Sequence, residues 1–571
     1  GMSGAVDVST NHNVTSAYIG NGASVKAAKN VDVKALSYKD IQSTTVSIAG
    51  GAIGLGASVS VINFGSALDD NARNSLKSKD GATTSSAVND NGNNTAVTDG
   101  MSGFGAQSGS SRTVGGSGYT ASSDPQARSY PAMAGMTQTR GNSSDLSSNI
   151  TSGKNSTTTA VGSNGASSAL EATNPPSSGV NAFIGNNVTI TATNSTVMAK
   201  EKITVTSLAG GGTAGLAAFG AAVSVVNVNS NTQAYIGSNS IINLTGDLLV
   251  SSSLESSVRS EAYAGSGGIV NIGAQAAVVK DTSNQFAFIG AGTRIQSADS
   301  VTVSASANRN LGSKAAGGGI GGVVVGITIA RATGEGSTEA TIGDNVQVGL
   351  VSGKSVRAFS VTADNATSGS TYGLGVAAGV YAGAGVEATT TINPSAKAQI
   401  GTGVSMTLTG KLAVNANATP TASAEATGAV FSTSVSVGAS LPKSYVYPTV
   451  EASTGNNFTL NGAAFDLIAK TSTPSGGTSN LSKAFAAVGG ALVGISATST
   501  ESKTNGSVVA KLGDNAAINL ADRRRFNAIS SNVDLVKGNI YIGPDHGLET
   551  GDEVVYSNGG TPSIGGLTDG A

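Results

Sequence analysis

Apolar and polar residues alternate in short runs along this chain, and one such run returns at a nearly constant distance. The tetrad Ala-x-Ile-Gly first begins at Ala17, and from Ala182 onward its copies follow one another at a nearly even interval. The last two copies, at Ala452 and Ala510, are degenerate. Such regular recurrence indicates a repeat architecture. We predict that the following anchor residues are structural: Ala17, Ile19, Gly20, Ala182, Ile184, Gly185, Ala234, Ile236, Gly237, Ala287, Ile289, Gly290, Ala340, Ile342, Gly343, Ala398, Ile400 and Gly401.

An alternating apolar pair is a second mark of the repeat, and it follows most anchors at a similar distance. In the units that begin at Ala182 and Ala340, we assign the pair to Ile203-x-Val205 and Phe359-x-Val361. These two pairs come slightly later than elsewhere, as small loop insertions would allow. Each unit then closes with a Gly- and Ala-rich tract. The remaining pairs are Val31-x-Val33, Leu248-x-Val250, Val301-x-Val303, Leu412-x-Val414 and Phe465-x-Leu467.

Period-two alternation, β-branched residues and intervening Gly, Asn and Ser predict short strands separated by turns. One unit would hold about four to six strands and could bury its faces only against neighbouring units. We therefore predict an all-β, repetitive β-solenoid (β-helix-like) of about eight ~53-residue units. It would carry a long loop insertion and a small C-terminal β-module. If each unit makes two coils, the rod is roughly 75–80 Å long.

The repeat divides the chain into five segments. Residues 1–16 are interpreted as the end of a preceding repeat, 17–73 as repeat 1 and 74–178 as an insertion rich in Ser, Gly, Asn and Thr. Repeats 2–8 follow in 179–530, and a truncated β-hairpin module in 531–571. Because the chain begins inside a unit and lacks a capping element, we expect both ends to be cut from a longer array.

The insertion enters at a turn, where solenoids tolerate excursions. A flexible surface loop and a side module that contacts a partner are both consistent with its composition. Its only aromatic residues are Tyr119, Tyr130 and Phe104.

Composition limits the kind of core that the chain can build. Charged residues make up 12% and aromatic residues 4%, Gly supplies 79 residues, and Trp and Cys are absent. Such a chain favours a thin core of small and β-branched side chains. The net charge of −2, from 32 basic and 34 acidic residues, argues against nucleic acid as a partner. Without Cys, disulfides and cysteine-ligated zinc are excluded.

Candidate catalytic residues are few. His12 and His546 are the only histidines, and each lies in a predicted turn. Glycoside hydrolysis would need two carboxylates held a few ångströms apart. Glu335 and Glu339 flank a Gly-Ser-Thr segment and could meet, whereas the adjacent Asp69-Asp70 would point to opposite faces of a strand. Neither pair is accompanied by aromatic platforms for sugars, so we predict no catalytic site.

Other motifs are weaker still. GLVSGKS (349–355) is one residue short of a phosphate-binding loop, with no predicted helix after it. Asp344 and Asp514 are interpreted as turn residues that bond their own backbone. The uncharged stretch 208–226 is predicted to be a strand and not a membrane helix. The cluster 523–525 (Arg-Arg-Arg) is interpreted as a solvated loop, with an anionic-glycan contact as the alternative. We predict no cofactor, no metal and no membrane-spanning segment.

The order of residues within a unit resembles a known family. A Gly/Ala-rich strand, Val-x-Val-x-Asn, Ala-Tyr-Ile-Gly and a turn are best seen in 220–253 (GAAVSVVNVNSNTQAYIGSNSIINLTGDLLVSSS). This unit resembles the repeats of giant filamentous adhesins and haemagglutinin-like exoproteins, above all the leukotoxin-type filamentous adhesins of Gram-negative bacteria. The stretch 545–570 is similar to a module found between such repeats. The resemblance implies export, display at the bacterial cell surface, and roles in adhesion, aggregation or matrix building.

These observations give three functional hypotheses. We expect a non-catalytic extracellular shaft whose partners are neighbouring repeats of a longer parent chain, further copies of itself, or host or cell-surface glycans or proteins. The first alternative is a self-assembling filament or surface-layer subunit. The second is a polysaccharide-acting enzyme on a β-helix scaffold, which would depend on Glu335 or Glu339.

Overall fold

Twenty-five of the described strands form one curled sheet, and the last two form a separate two-stranded sheet. The computed structural model describes residues 1–65, 179–473, 478–520, 533–534 and 539–541. Within these ranges the chain forms strands and turns and contains no helix. All strand pairs are parallel except one short antiparallel pair near the end of the chain. The predicted all-β class and solenoid-like stacking are confirmed, and the structure adds that the stacked strands are parallel.

Each turn of the sheet combines short strands with one long stretch of strand. We number the units by their anchors, from unit 1 at Ala17 to unit 8 at Ala510. In chain order the strands are β1 (Met2–His12), β2 (Thr15–Ile19), β3 (Ser24–Lys26), β4 (Asn30–Gly50), β5 (Ile53–Gly65), β6 (Val180–Ile184), β7 (Thr189–Ala192), β8 (Asn194–Asn229), β9 (Asn231–Ile236), β10 (Ile241–Leu244), β11 (Leu248–Asp281), β12 (Asn284–Ile289), β13 (Arg294–Ile342), β14 (Gln347–Val348), β15 (Val356–Ile400), β16 (Ser405–Thr407), β17 (Lys411–Val446), β18 (Thr449–Thr454), β19 (Thr459–Gly462), β20 (Ala464–Thr471), β21 (Asn480–Gly490), β22 (Val493–Thr498), β23 (Glu501–Thr504), β24 (Ser507–Lys511), β25 (Ala517–Leu520), β26 (Val533–Asp534) and β27 (Asn539–Ile540).

The register shows that one unit makes one turn. Leu248 of unit 3 pairs with Ser195 on one side and with Val301 on the other, which hold the same position in units 2 and 4. Each unit therefore adds one strand spacing of about 4.8 Å along the axis. The expectation of two coils per unit was wrong, and so was the rod length derived from it. The expectation of two coils assumed that Gly and Ser interrupt the strands, whereas in the structure these residues continue the parallel pairing.

The anchors lie directly above one another. Ala234 pairs with Ala182 below it and with Ala287 above it. The same column runs from Ala17 to Ala510. Longer spacings arise from local insertions, such as the loop 349–355, which separates β14 from β15.

An apolar column, the main core, fills one part of the cross-section. It is enclosed by the anchor strand, the short strand after it and the start of the long strand. In unit 3 these elements contribute Ile236, Ile242 and Leu248, each at most 1% exposed. Equivalent side chains stack on them in neighbouring units, so the core is continuous along the axis.

The rest of each unit is a two-walled extension, which we call the fin. In unit 2 the chain runs out along residues 203–214 and returns along 217–228. Ser224 Oγ donates to Ser207 Oγ at 2.7 Å, and Ser230 Oγ donates to Glu201 at 2.6 Å, so the two walls face each other. The chain reverses at the tip of the fin, near Gly215 and Leu216.

Small side chains allow the two walls of the fin to approach closely. One cluster between them consists of seven alanines, including Ala209, Ala222 and Ala262. Beside it the hydroxyls of Ser43, Ser60, Ser207, Ser224 and Ser260 form a chain with oxygen–oxygen distances of 2.7, 2.8, 2.7 and 2.8 Å. Each internal hydroxyl therefore has partners on both sides, as burial requires. The Ala- and Ser-rich composition follows from this thin interior.

The turn after each anchor explains the anchor glycine. A Cβ on Gly237 would lie 2.6 Å from the carbonyl carbon of Gly185 in the turn below. Two residues after the anchor glycine the backbone is left-handed, a conformation that Gly and Asn adopt most readily. The eight residues with this positive φ are Gly22, Asn187, Asn239, Gly292, Asn345, Gly403, Asn457 and Asn515.

Two details of the predicted repeat were wrong. Val31 and Val33 pair with Ser195 and Val197, so Ile203-x-Val205 is not the second apolar pair of unit 2. Ser195 fills the expected apolar position, is 1% exposed, and its hydroxyl has no hydrogen-bond partner. Units 2 to 6 also hold fewer and longer strands than the predicted four to six, because their Gly-rich tracts remain paired, whereas unit 7 holds six strands, β18 to β23.

Substituting an anchor glycine tests the stacking of the turns. We expect Gly237→Ala to lower the free energy of unfolding by about 1–3 kcal/mol, because the added methyl overlaps the backbone below. Gly20→Ala is the matched control, since a Cβ there meets nothing within 4 Å. Equal losses in urea unfolding would contradict the close approach.

The hydroxyl chain predicts a contrast between two buried serines. Ser207→Ala removes a partner from both Ser60 and Ser224 and should cost about 1–2 kcal/mol. Ser58 is 0% exposed and its hydroxyl has no partner, so Ser58→Ala should be neutral or stabilising. Urea denaturation of both variants checks this contrast, and a larger loss for Ser58→Ala would refute it.

Candidate interaction surface

The two candidate catalytic carboxylates are each paired with a lysine. Glu335 lies 3.9 Å from Lys280 of unit 3, and Glu339 lies 3.6 Å from Lys397 of unit 5. Ser337 Oγ also donates to Glu339 at 2.5 Å. These contacts connect three successive units across the outer surface of the sheet.

The phosphate-loop candidate is an inserted loop between two strands. Residues 349–355 lead directly into β15, which begins at Val356. Lys354 Nζ reaches back to Asn243 at 2.5 Å and to Gln296 at 2.6 Å, in the two preceding units. The loop therefore connects three units through one lysine.

The structure settles some of the weaker sequence interpretations. The stretch 208–226 lies within β8, so its assignment as strand is confirmed. Asp344 does not bond its own backbone. Its Oδ1 accepts a hydrogen bond at 2.8 Å from the N–H of Thr402 in the next unit, because stacked turns bring that donor closer. His12 ends strand β1 and does not lie in a turn.

Several predicted residues fall outside the described ranges, so their prediction stays open. They are Asp69, Asp70, Phe104, Tyr119, Tyr130, Arg523, Arg524, Arg525 and His546. In the part of the chain that is described, no helix is long and apolar enough to cross a membrane. Those same residues contain no group of three or more His, Asp or Glu side chains placed to hold a metal ion.

Two buried ion pairs, which sequence reasoning missed, lie where the main core meets the fin. Lys39 Nζ is 2.7 Å from Glu201, which also accepts hydrogen bonds from Ser230 and Thr232. Lys39 further lies over the ring of Phe64, 4.8 Å from its centroid. This pair joins units 1 and 2.

The second pair joins units 3 and 4. Arg309 Nε lies 3.7 Å from Asp281, and both side chains are 0% exposed. Arg309 donates to the carbonyl of Ser283 and to Gln285, each at 2.6 Å. Burial lowers the pKa of Arg309, and the charge of Asp281 opposes that shift. The sequence could have indicated this pair, because the alternation of inward and outward residues along the strand places the positively charged Arg309 at an inward position.

The tip of the fin exposes large apolar side chains from unit to unit. Leu216, Ile269 and Ile320 are 59%, 61% and 72% exposed in units 2, 3 and 4. Val380 and Leu492 are exposed at the tips of units 5 and 7. Leu216 and Ile269 hold the same position in units 2 and 3, so these side chains form a ridge along the axis. In unit 4 that position is Gly322, and Ile320 lies two residues earlier, opposite Gly267, so the ridge is displaced there.

A trough runs beside this ridge on the outgoing wall of the fin. Gly212, Gly265 and Gly318 form its floor in units 2, 3 and 4, while Ile48 and Val376 rise at its two ends. Its volume is about 600 Å³. Glycine leaves the floor open: a Cβ on Gly265 would meet nothing within 4 Å.

A polar rim borders the trough on the side away from the tip. Tyr263 Oη donates to Glu261 at 2.7 Å, and Lys314 Nζ lies 5.6 Å from the Tyr263 ring and 5.8 Å from the Tyr372 ring. Burial, together with the Glu261 carboxylate, raises the pKa of Tyr263 to about 12. The phenol is therefore neutral at physiological pH, and the trough is an apolar surface with a hydrogen-bonded edge.

Removing one partner of the buried pair should be far more costly than breaking an exposed one. Arg309→Met leaves Asp281 charged and buried, so we expect a loss of about 3–5 kcal/mol in unfolding free energy. Arg331→Met is the control, because its pair with Glu387 at 3.3 Å is partly exposed and should contribute about 0–1 kcal/mol. Asp281→Asn combined with Arg309→Met should recover part of the loss. Equal effects of the two single variants would contradict this assignment.

Comparison with protein-family models, curated proteins and solved structures found no match for this chain.

Proposed function

We propose that this chain is a non-catalytic, extracellular structural shaft of a large bacterial surface adhesin or exoprotein. It would act in adhesion, aggregation or the building of a matrix or filament. The observation that carries the proposal is the parallel pairing of nearly every strand residue with the same position one unit away. In this proposal the chain is a solenoid of about eight one-turn units.

Cohesion directed along the axis supports a shaft. The rings of Tyr18, Phe183, Tyr235 and Phe288, from four successive units, stack with centroid distances of 5.0, 4.9 and 4.5 Å. Both buried ion pairs also cross a boundary between units. Charges used for contacts between neighbouring units strengthen the stack and leave fewer groups to converge on a substrate.

The resemblance to filamentous adhesin repeats supports an extracellular, surface-displayed location. The absence of Cys is consistent with a chain that crosses an export channel unfolded. Adhesion would then depend on loops or on other parts of the parent protein, while the solenoid provides length.

A second candidate function, self-assembly into a filament or surface layer, is favoured by the apolar ridge at the fin tip. Exposed apolar surface that repeats along an axis suits lateral association.

Excision of one unit tests the shaft. Deleting residues 398–451 joins Lys397 to Ala452, which occupies the position of Ala398 in the anchor column. We expect this variant to retain β-type circular dichroism and cooperative unfolding, because the register continues. Deleting 398–424 removes half a turn and should abolish both. Equal behaviour of the two deletions would contradict a one-turn unit.

Location and activity are tested on the intact protein. Antibodies against this chain should label the surface of unbroken cells, and in-frame excision of 398–451 from the parent protein should leave cell aggregation unchanged. Incubation with a panel of polysaccharides should release no new reducing ends. Activity that disappears in Glu335→Gln or Glu339→Gln would overturn the non-catalytic proposal, and unlabelled cells would overturn the surface location.

A further inference from the structure

The outer part of the fin carries no charge in seven successive units. No Asp, Glu, Lys or Arg occurs in the stretch of each unit that forms the tip and the adjoining parts of both walls. These stretches are 41–65, 203–246, 262–279, 315–330, 365–386, 426–442 and 484–500. Exposed strands usually carry charges that prevent association, so a charge-free, apolar edge of this length indicates a covered surface.

The exposed apolar area is large enough for a stable protein interface. Besides Leu216, Ile269 and Ile320, the edge exposes Phe431 and Phe485, at 54% and 58%. Together the exposed tip side chains present on the order of 1,000 Å² of apolar surface, whereas a standard interface buries about 800 Å² per partner. A monomer rarely leaves a patch of that size uncovered.

The ridge and the trough are complementary in shape. In unit 3 the tip residue Ile269, which lies where the chain reverses, follows the floor residue Gly265 by four positions. Units 2 and 3 thus carry Leu216 and Ile269 in register beside the row of glycines, whereas in unit 4 Ile320 lies only two positions after Gly318. Both rows have the same spacing of about 4.8 Å, because both follow the strand spacing.

A second copy of this chain satisfies these conditions best. Another copy has the same strand spacing, so its Leu216 and Ile269 side chains, which lie one strand apart, would meet two successive glycines of the row. The ridge and the trough lie side by side on one surface, as a two-fold, self-complementary interface requires. A lipid surface would fit less well, since interfacial membrane binding usually draws on Lys or Arg beside the apolar face.

We propose that two copies pair about a two-fold axis near unit 3, with the ridge residues Leu216 and Ile269 of each copy seated in the Gly212–Gly265–Gly318 trough of the other. This pairing goes beyond the shaft function and does not depend on it. Two shafts would lie side by side with their main cores facing outward.

Sedimentation of the full chain tests the pairing. Between roughly 1 and 100 µM, where interfaces of this size associate, the wild type should be a dimer. Gly265→Leu fills the trough at a position where a Cβ meets nothing within 4 Å, and Ile269→Asp places a charge in the contact. Each should weaken dimerisation by about 30-fold or more.

Two matched controls separate the interface from general effects. A Cβ on Gly20 also meets nothing within 4 Å, and this residue lies in an anchor turn outside the fin, so Gly20→Leu should leave the dimer intact. Leu36 is 59% exposed and lies away from the tip, so Leu36→Asp should do the same. Circular dichroism of all four variants should match the wild type.

A cross-link locates the contact. The chain has no Cys, so single-cysteine variants give an unambiguous result. Oxidising a mixture of Gly265→Cys and Ile269→Cys should give mainly the mixed disulfide dimer. A monomeric wild type at all concentrations would overturn the proposal, as would a dimer indifferent to Gly265→Leu. Monomers that float with neutral phosphatidylcholine vesicles would also overturn it, in favour of a lipid partner. None of these outcomes affects the excision test of the shaft.

Discussion

Parallel pairing of each residue with the residue one unit away is the constraint on which the rest of this structure depends. It places every side chain about 4.8 Å from the side chain at the same position of the next unit. The side chains at one position of successive units therefore form a column along the axis. The column is stable only if neighbouring side chains can pack against each other at that distance. The aromatic stack at Tyr18 and Phe183, the alanine layers of the fin and the glycines of the turns are three solutions to this requirement.

The same constraint explains why the chain needs so few large residues. Each unit buries its apolar side chains against the units above and below, and the fin closes on Ala and Ser with hydroxyls bonded to one another. A thin interior gains little from hydrophobic area per residue. Hydrogen bonds along the axis and close packing offset this small hydrophobic gain, because nearly every strand residue is hydrogen-bonded to the neighbouring unit.

Much of the fold could be predicted from the sequence, because the repeat is recorded in residues with a strict geometric role. The Ala-x-Ile-Gly anchors indicated the interval at which strands pair, and the structure places them in one column. The number of coils per unit could not be predicted, since Gly-rich tracts normally signal turns and here remain in strands. The buried pair of Asp281 and Arg309 was also missed, because its partners lie on different strands, β11 and β13, and only the fold-back of the fin joins them. The exposed apolar side chains at the fin tip could not be predicted as one surface, because Leu and Ile that are scattered along the sequence come together only when the units stack.

The two buried ion pairs have a consequence for how a repetitive chain reaches its native order. Near-identical repeats can misalign during folding, so that a strand skips its proper neighbour and pairs with the one beyond. Among the described residues, Arg309 pairs with a carboxylate only in unit 3 and Lys39 only in unit 2. A skipped alignment would leave a charge buried without its counter-ion, at a cost of several kcal/mol. The two buried ion pairs thus destabilise any alignment in which the units stack out of order.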